Sequence, residues 1–341
     1  MKVFVTGATG MVGAHCALEL LAAGHEVRLL VRDPDFARNY FAERGYDVTD
    51  LVVADMCDAD AIRRGLKGCH ALFHAAAMVN LASGYAREVY EGNTGSIASV
   101  VETAVACGIP NIVWVSSLSV LLRPGIDYVD EEAALAEPVD AYSRSKVECE
   151  KRVRLLQARG APVQISYPGA VIGPHDPRFN QSNKALALFL SIVPRTSSGL
   201  QQVDARDLAR FHRYLLEHPP SSDREVYRYI VGGPYLGWEA LHTMLEQLTG
   251  TSIFHPRVSG GLLRAIGAMV DRAQRIRPFE TQVSAESLRI ATQWPYADSS
   301  RALSHANLEF RPIAKSIEDS IRWFAETGRV SPEKAGRLAP C

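Results

Sequence analysis

The chain has little of what marks secreted, metal-binding or membrane-spanning proteins. Its six cysteines form no Cys-x-x-Cys pair and have no metal-ligand spacing. Thiols of this kind are typical of a reducing compartment rather than of a disulfide framework. Nothing like a secretion leader precedes the first apolar segment, and no apolar stretch is long enough to span a bilayer. We therefore expect a cytoplasmic protein with neither a bound metal nor a spanning membrane segment.

An excess of charge of one sign is also missing. The 341 residues include 37 Lys and Arg against 38 Asp and Glu, which leaves a formal net charge of -1. Bulk charge therefore offers no basis for a nucleic-acid partner, and we expect none. A hydrophobic content of 47% suits a globular chain that forms one large domain and a smaller one.

What the chain does have, at its very start, is a glycine-rich turn. The apolar segment 2–5 reads as a buried strand, the amphipathic segment 12–23 as a helix, and Thr6-Gly7-Ala8-Thr9-Gly10-Met11-Val12-Gly13 lies between them. In this context the glycines permit a tight turn and close approach to a pyrophosphate, while the helix N-terminus attracts phosphate charge. The motif predicts a dinucleotide site that includes Gly7, Thr9, Gly10, Met11 and Val12.

A second motif, Tyr142-Ser143-Arg144-Ser145-Lys146, has the residue types for proton transfer. A tyrosine has an unperturbed pKa of about 10, so it acts as an acid or base near neutrality only if its anion is stabilised. Lys146 lies one helical turn beyond Tyr142, and its charge would provide that stabilisation while its ammonium holds the nicotinamide ribose. Together the two motifs predict a nicotinamide-dependent enzyme.

Strand-like and helical patterns alternate along the first half of the chain. The strand-like runs cover residues 3–5, 26–31, 51–54, 71–74, 112–116 and 163–167. This alternation predicts an α/β fold with a doubly wound parallel sheet, the Rossmann arrangement. We expect a dinucleotide-binding domain of residues 1–167 plus about 201–232. A smaller, mostly helical substrate-binding region would take 168–200 plus about 233–330, and 331–341 would be a tail.

With these motifs the chain resembles the extended short-chain dehydrogenase/reductases, the NAD(P)-dependent epimerase/dehydratase family. That family includes UDP-galactose 4-epimerase, dihydroflavonol 4-reductase and 3β-hydroxysteroid dehydrogenase. Besides the glycine turn and the Tyr-Lys pair, the matching segments are 54–58, 74–77, Asn93, 115–117, Pro168-Gly169, Gly173-Pro174 and 203–207. The match spans nearly the whole chain.

The resemblance implies roles for the matched residues in binding the cofactor. Asp55 would accept a hydrogen bond from the adenine amino group, and Met56 would lie beside the ring. The remaining matched positions expected to contact the cofactor are Ala75, Ala76, Ala77 and Pro168, of which the three alanines end a strand with small side chains. His74 is expected to be structural.

For the chemistry, the resemblance implies a Ser-Tyr-Lys site. Ser117 would hydrogen-bond the substrate oxygen whose charge changes during hydride transfer, with Ser119 as its alternative. Asn93 would organise the site, although the Gly-Thr that usually follows this asparagine is replaced by Ser96-Ile97. The chain also has Tyr167 where family members commonly have arginine before Pro168.

The choice of cofactor depends on the end of the second predicted strand. A carboxylate there binds the ribose 2′-hydroxyl of NAD, but the aligned residue is Val31, and Arg32 follows it. Because arginine forms bidentate contacts to phosphate, the sequence favours NADP(H). NAD(H) remains the alternative, since Asp33 would bind the ribose after a small shift of the turn.

Three functions are consistent with these residues. The favoured one is NADP-dependent reduction of a ketone or aldehyde, or oxidation of the alcohol, in a small and moderately apolar substrate. An NAD-dependent nucleotide-sugar epimerase or dehydratase is the alternative within the fold. A non-catalytic nucleotide-sensing protein is a third reading, which the intact Ser-Tyr-Lys set disfavours.

The substrate-binding region is less informative. We expect residues 174–200 and 253–295 to line the pocket. They lack a dense cluster of Arg and Lys suited to a diphosphate, for which Arg178, Lys184 and Arg195 remain as candidate ligands. One segment has an apolar stripe at helical spacing, which consists of Leu262, Leu263, Ile266, Met269 and Val270. We expect this stripe to pack in the core, and a pocket wall or a membrane-surface contact is the alternative.

The resemblance also implies a homodimer that pairs through two helices. These are the helix after Asn93 and the helix that carries Tyr142. Apolar side chains at Ile97, Val100, Val101, Ala104 and Val105 are compatible with such an interface. Packing on the sheet explains several of them equally well.

Overall fold

The computed structural model describes residues 1–78, 86–123, 125–138, 141–221, 227–276, 281, 283 and 285–340. Within these ranges, seven parallel strands form the central sheet. They are β1 (Lys2–Thr6), β2 (Glu26–Val31), β3 (Leu51–Val53), β4 (Ala71–His74), β5 (Ile112–Val115), β7 (Val163–Pro168) and β10 (Arg228–Val231). The doubly wound parallel sheet expected from the sequence is confirmed.

The strand order places a binding crevice at the centre of this sheet. Across the sheet the strands run β10-β7-β5-β4-β1-β2-β3, so the chain moves outward in one direction from β1 and in the other from β4. Ligands of open α/β sheets bind at such a switch point, outside the carboxyl ends of the strands. The glycine turn follows β1 at this point, and residues 75–77 follow β4.

The described helices are α1 (Met11–Ala22), α2 (Pro34–Ala42), α3 (Ala59–Leu66), α4 (Ala86–Ser96), α5 (Thr103–Ala106), α6 (Ala141–Ala158), α7 (Gln181–Phe189), α8 (Ala205–Glu217), α9 (Trp238–Thr249), α10 (Gly260–Ile276), α11 (Ala285–Gln293), α12 (Ser300–Ala306), α13 (Ile313–Glu326) and α14 (Pro332–Ala335). A π-helical segment, Ile97–Glu102, joins α4 to α5.

Successive side chains of each strand point to opposite faces of the sheet, and this alternation produces two apolar layers, one on each face. Val3 and Val5 pack in one layer with α1, α2 and α8, whereas Phe4 packs in the other with α3 and α6. Because both faces are covered, most residues of these strands are apolar.

Two smaller sheets lie outside the central one. In the first, β8 (Ala170–Ile172) and β11 (Tyr235–Gly237) flank β9 (Gly199–Asp204). In the second, β6 (Tyr128–Val129) pairs with β12 (Tyr296–Ala297). Residues 202–204 thus pair with β8 rather than with the central sheet, while α8 packs on α1 and β10 joins the central sheet.

The structure corrects the interpretation of the stripe on α10. Leu262 and Met269 are 55% and 59% exposed, and the other three residues of the stripe are only partly buried. They are not core residues, because α10 lies at the periphery and packs mainly on α11. Among the described helices, none is both long enough and apolar enough to cross a membrane.

Most of the apolar positions considered for a dimer interface lie inside the chain. Ile97, Val100, Val101 and Ala104 are buried in the layer beneath α6, and Val105 packs against it. Burial on the sheet therefore accounts for these side chains.

Candidate active site

A cavity of about 600 Å³ opens at the carboxyl edge of the central sheet. Most of the residues predicted to bind the cofactor or to act chemically line it. They are Gly7, Thr9, Gly10, Met11, Val12, Arg32, Asp55, Met56, Ala75, Ala76, Ala77, Ser117, Tyr142, Lys146 and Pro168. Of the predicted site residues only Asn93 does not line the cavity.

The glycine turn requires residues without side chains, because backbone segments approach each other closely there. Gly7 has a φ of +77°, and its carbonyl accepts a hydrogen bond from the Gly10 amide at 2.9 Å. A Cβ on Gly7 would lie 2.6 Å from the Ala76 nitrogen, and a Cβ on Gly13 would collide with the Gly7 carbonyl oxygen. These contacts explain why glycine is needed at both positions.

The first turn of α1 is suited to a phosphate. Gly10 precedes the helix and supplies no capping side chain, and this turn has no acidic residue. The N–H groups of a helix N-terminus then favour an anion. Together with the glycine cradle, this end of the cavity fits the pyrophosphate of a dinucleotide.

At the end of β2 the two charged residues are placed differently. Arg32 is exposed and lines the cavity. The side chain of Asp33 instead caps α2, because its Oδ1 accepts a hydrogen bond from the Phe36 amide at 3.0 Å. Asp33, the alternative ribose ligand of the sequence analysis, thus has one carboxylate oxygen engaged in the cap and does not line the cavity.

At the other end of the cavity, Ser117, Tyr142 and Lys146 form the candidate catalytic set. The hydroxyls of Ser117 and Ser119 lie 2.8 Å apart and share a hydrogen bond, but Ser119 does not line the cavity. The Lys146 ammonium donates to the Val115 carbonyl at 3.5 Å and lies 5.9 Å from the centre of the Trp114 ring. Burial lowers the pKa of Lys146, and the nearby Cys149 and Glu150 partly offset this.

Asn93 ties the loop after β4 to the helix that carries the Tyr-Lys pair. Its amide group donates to the Met78 carbonyl at 3.0 Å and to the Ser145 hydroxyl at 2.9 Å, and its carbonyl accepts from the Met78 amide at 2.7 Å. Ser145 in turn donates to the Tyr142 carbonyl at 2.7 Å. Because Asn93 is buried beside the cavity, its geometry suits a positioning residue.

His74 is buried behind the cavity wall. Its ring lies 2.6 Å from the Thr6 hydroxyl and 3.4 Å from that of Ser96. Burial, with a smaller effect from the charge of Lys146, lowers the pKa of His74 to about 3. The ring is therefore neutral near pH 7 and bridges β1 to the end of α4.

A buried acidic network beneath the site was missed by the sequence reasoning. Glu150 is fully buried and accepts hydrogen bonds from the Ser116 hydroxyl at 2.7 Å, from Arg154 at 2.7 Å and from the Tyr167 hydroxyl. The network connects α6 to β7 and to the residue before Ser117. The spacing Tyr142, Lys146, Glu150 would have placed this carboxylate on the face of α6 that carries the site.

The expected substrate-binding segments contribute unequally to the cavity. The loop between β8 and α7 lines it through Asp176 and 178–180, and α7 lines it through 181–182 and Lys184. No residue of the described parts of 253–295 lines this cavity, which corrects that expectation. Arg195 also lies elsewhere, where it pairs with Glu239 at 3.1 Å.

Fold and cavity together define an NAD(P)-dependent enzyme of the extended short-chain dehydrogenase/reductase type. The model of the NAD dependent epimerase/dehydratase family matches residues 3–232, and the chain belongs to that family.

Among related proteins, sterol demethylase protein B of Methylococcus capsulatus is 28% identical over 346 residues, which cover 97% of this chain and 100% of that protein. Cinnamoyl-CoA reductase 1 of Oryza sativa is 26% identical, over 96% of this chain and 91% of that protein.

A solved structure with the same fold is the UDP-glucose 4-epimerase of Bifidobacterium longum in complex with NAD+ and UDP. It superimposes with a TM-score of 0.73 at 17% identity, over 98% of this chain and 100% of that one. Both reductases and epimerases are therefore among the similar proteins.

Proposed function

We propose that the protein is an NADP(H)-dependent oxidoreductase that interconverts a ketone or aldehyde and its alcohol on a small, moderately apolar substrate. One observation supports this above all: Ser117, Tyr142 and Lys146 line the same cavity as the glycine turn and Arg32. A bound nicotinamide dinucleotide would supply or accept the hydride. The protein itself would bind the dinucleotide and the substrate and would transfer a proton.

In this proposal each side chain of the set has a separate task. The Tyr142 hydroxyl donates a proton to the substrate oxygen during reduction and takes it back during oxidation. The Lys146 ammonium stabilises the phenolate that remains and holds the ribose next to it. The Ser117 hydroxyl donates a hydrogen bond to the same substrate oxygen as negative charge develops on it.

The preference for NADP(H) is supported by the contrast between Arg32 and Asp33. The guanidinium lines the cavity and forms no ion pair with any described residue, so it is available for a 2′-phosphate. Asp33, whose carboxylate would favour NAD(H), does not line the cavity, and one of its oxygens caps α2.

The names of the full-length relatives support a carbonyl substrate of apolar character. Cinnamoyl-CoA reductase and sterol demethylase protein B are named for aromatic and sterol compounds. Since Arg195 lies away from the cavity, one of the three cations considered for a nucleotide sugar is not available there.

Cofactor binding and turnover test the proposal in sequence. Purified protein is first checked for retained nucleotide and then titrated with NADPH and NADH, with dissociation constants read from fluorescence and thermal shift. Aromatic, terpenoid and steroid ketones and aldehydes are then supplied with the preferred nucleotide. Tighter NADPH binding with carbonyl-dependent oxidation is the expected result. Tightly retained NAD with conversion of UDP-glucose would instead establish the epimerase alternative.

The remaining parts of the proposal rest on the family resemblance and the sequence. They are a homodimer, a cytoplasmic location, and a division into a dinucleotide-binding domain and a substrate-binding region. Light scattering measures the mass in solution, and a monomer at micromolar concentration would contradict the dimer.

A further inference from the structure

The loop between β8 and α7 is held in one conformation by a buried carboxylate. Asp176 is 1% exposed, and its two oxygens accept from the Arg178 amide at 3.1 Å, the Asn180 amide at 2.6 Å and the Asn183 side chain at 3.0 Å. His175 and Phe179 on either side have positive φ angles of 59° and 50°. Such an arrangement fixes the direction in which Arg178 leaves the loop.

The same loop is docked on α2, the helix that begins directly after Arg32. The buried Tyr40 donates its hydroxyl hydrogen to the His175 carbonyl at 2.7 Å. The Arg178 guanidinium lies 4.7 Å from the centre of the Phe36 ring, in the first turn of α2. Arg178 is thereby directed toward the end of β2, where the adenosine half of a dinucleotide lies in this fold, rather than toward Tyr142.

Arg178 and Arg32 are two cations near the start of α2 that both line the cavity. Both side chains are exposed, both line the cavity, and neither forms an ion pair within the described ranges. The stacked ring restricts the Arg178 guanidinium while leaving its N–H groups available. Two guanidinium groups around one phosphate provide more charge-assisted hydrogen bonds than a single one.

We infer that Arg178 is a second ligand of the 2′-phosphate of NADP(H) and determines, together with Arg32, the preference for NADP(H) over NAD(H). This inference rests on the proposed use of NADP(H). It assigns cofactor specificity to a residue of the segment that the sequence placed in the substrate-binding region, about 146 positions beyond Arg32.

Binding of nucleotides and nucleotide fragments to the full chain tests the inference without turnover. Dissociation constants are measured by calorimetry for NADPH, NADH, adenosine 2′,5′-bisphosphate and 5′-AMP, with wild type, Arg178→Gln and Arg32→Gln. For Arg178→Gln we expect about tenfold weaker binding of NADPH and of the bisphosphate, because a charged contact to phosphate is lost. Binding of NADH and 5′-AMP should change less than about twofold, since they lack the 2′-phosphate.

Arg38→Gln is the matched control for loss of a positive charge nearby. Arg38 is also exposed on α2, but its guanidinium pairs with Asp35 at 3.0 Å and does not line the cavity. The Arg38→Gln variant should therefore have nearly the same dissociation constants as wild type for all four nucleotides. Unaltered NADH binding and an unaltered thermal midpoint establish that Arg178→Gln is folded.

The possible results separate this inference from the proposed function. If wild type prefers NADPH and Arg32→Gln removes the preference while Arg178→Gln does not, only the role of Arg178 is wrong. Equal weakening of NADPH and NADH by Arg178→Gln would place its contact on a phosphate common to both and also overturn the inference. A wild type that binds NADH as tightly as NADPH would overturn the proposed cofactor preference and this inference together.

Discussion

At the scale of single residues, the proposed function depends on the Tyr142 hydroxyl as proton donor and on the groups that hold it in place. Tyr142 and Lys146 are one turn apart on α6 and line the cavity together. Lys146 is buried to 5% exposure, so its charge acts in surroundings that screen it weakly. In the proposed mechanism, this weakly screened charge stabilises the Tyr142 phenolate.

Removal of the Tyr142 hydroxyl should therefore abolish turnover without weakening the binding of the dinucleotide. For Tyr142→Phe we expect kcat to fall by roughly 10²- to 10⁴-fold, because the proton donor is lost. The dissociation constant for NADPH should change little. Steady-state kinetics and calorimetry on the same preparation measure both quantities, and substantial residual activity would refute the assignment.

The two neighbouring serines should differ in effect, although their hydroxyls share a hydrogen bond. Ser117→Ala removes a donor from the cavity and should reduce kcat by roughly 10²-fold, the order found for loss of one oxyanion donor. Ser119→Ala leaves the cavity wall intact and should cost only a few-fold in kcat. The reverse order would identify Ser119 as the substrate ligand.

At the scale of secondary-structure elements, the carboxylate of Glu150 holds three pieces of the fold together. It lies on α6 and receives hydrogen bonds from β7 and from the residue directly after β5. Arg154, one turn further along α6, supplies its positive partner. Tyr167, at the position where the family commonly has arginine, is thus part of a charge-balanced network.

Substitutions in this network should reduce stability by different amounts. Tyr167→Phe removes one hydrogen bond from a carboxylate that keeps two other donors, which should cost about 1–3 kcal/mol. Glu150→Gln leaves the half-buried Arg154 without its charged partner and should cost more, about 3–5 kcal/mol. Urea unfolding measures both changes in the free energy of unfolding, and an equal or smaller loss for Glu150→Gln would contradict this account of the network.

At the scale of the whole molecule, two neutral histidines in the interior make stability dependent on pH. Burial lowers the pKa of both His74 and His212 to about 3, whereas an unfolded histidine titrates near 6.5. Between these values the unfolded chain binds more protons than the folded one. The free energy of unfolding should therefore fall as the pH decreases from about 6.5 toward 3.

Each buried histidine should contribute about 1.4 kcal/mol per pH unit to this decline. His212→Gln removes one such group and should make the slope shallower by about that amount between pH 6 and 4. His70→Gln, at an exposed position, is the control and should leave the slope nearly unchanged. Urea denaturation at several pH values measures the slopes, and identical slopes for wild type and His212→Gln would contradict the prediction.

The sequence by itself determined the central sheet and most of the residues that line the cavity. Apolar runs such as 26–31 have the length of buried strands, Gly7 tolerates a backbone conformation that other residues avoid, and Tyr142 and Lys146 share a face through helical spacing alone. These features are local, so they can be recognised without knowing where distant segments lie.

Only the tertiary structure decided where the remaining side chains act. Arg178 lies over Phe36 at the start of α2 because Tyr40 and Asp176 position its loop. Leu262 and Met269 are exposed although their spacing is that of a core helix. Each outcome depends on which segments distant in the chain pack together, and a linear pattern does not specify this.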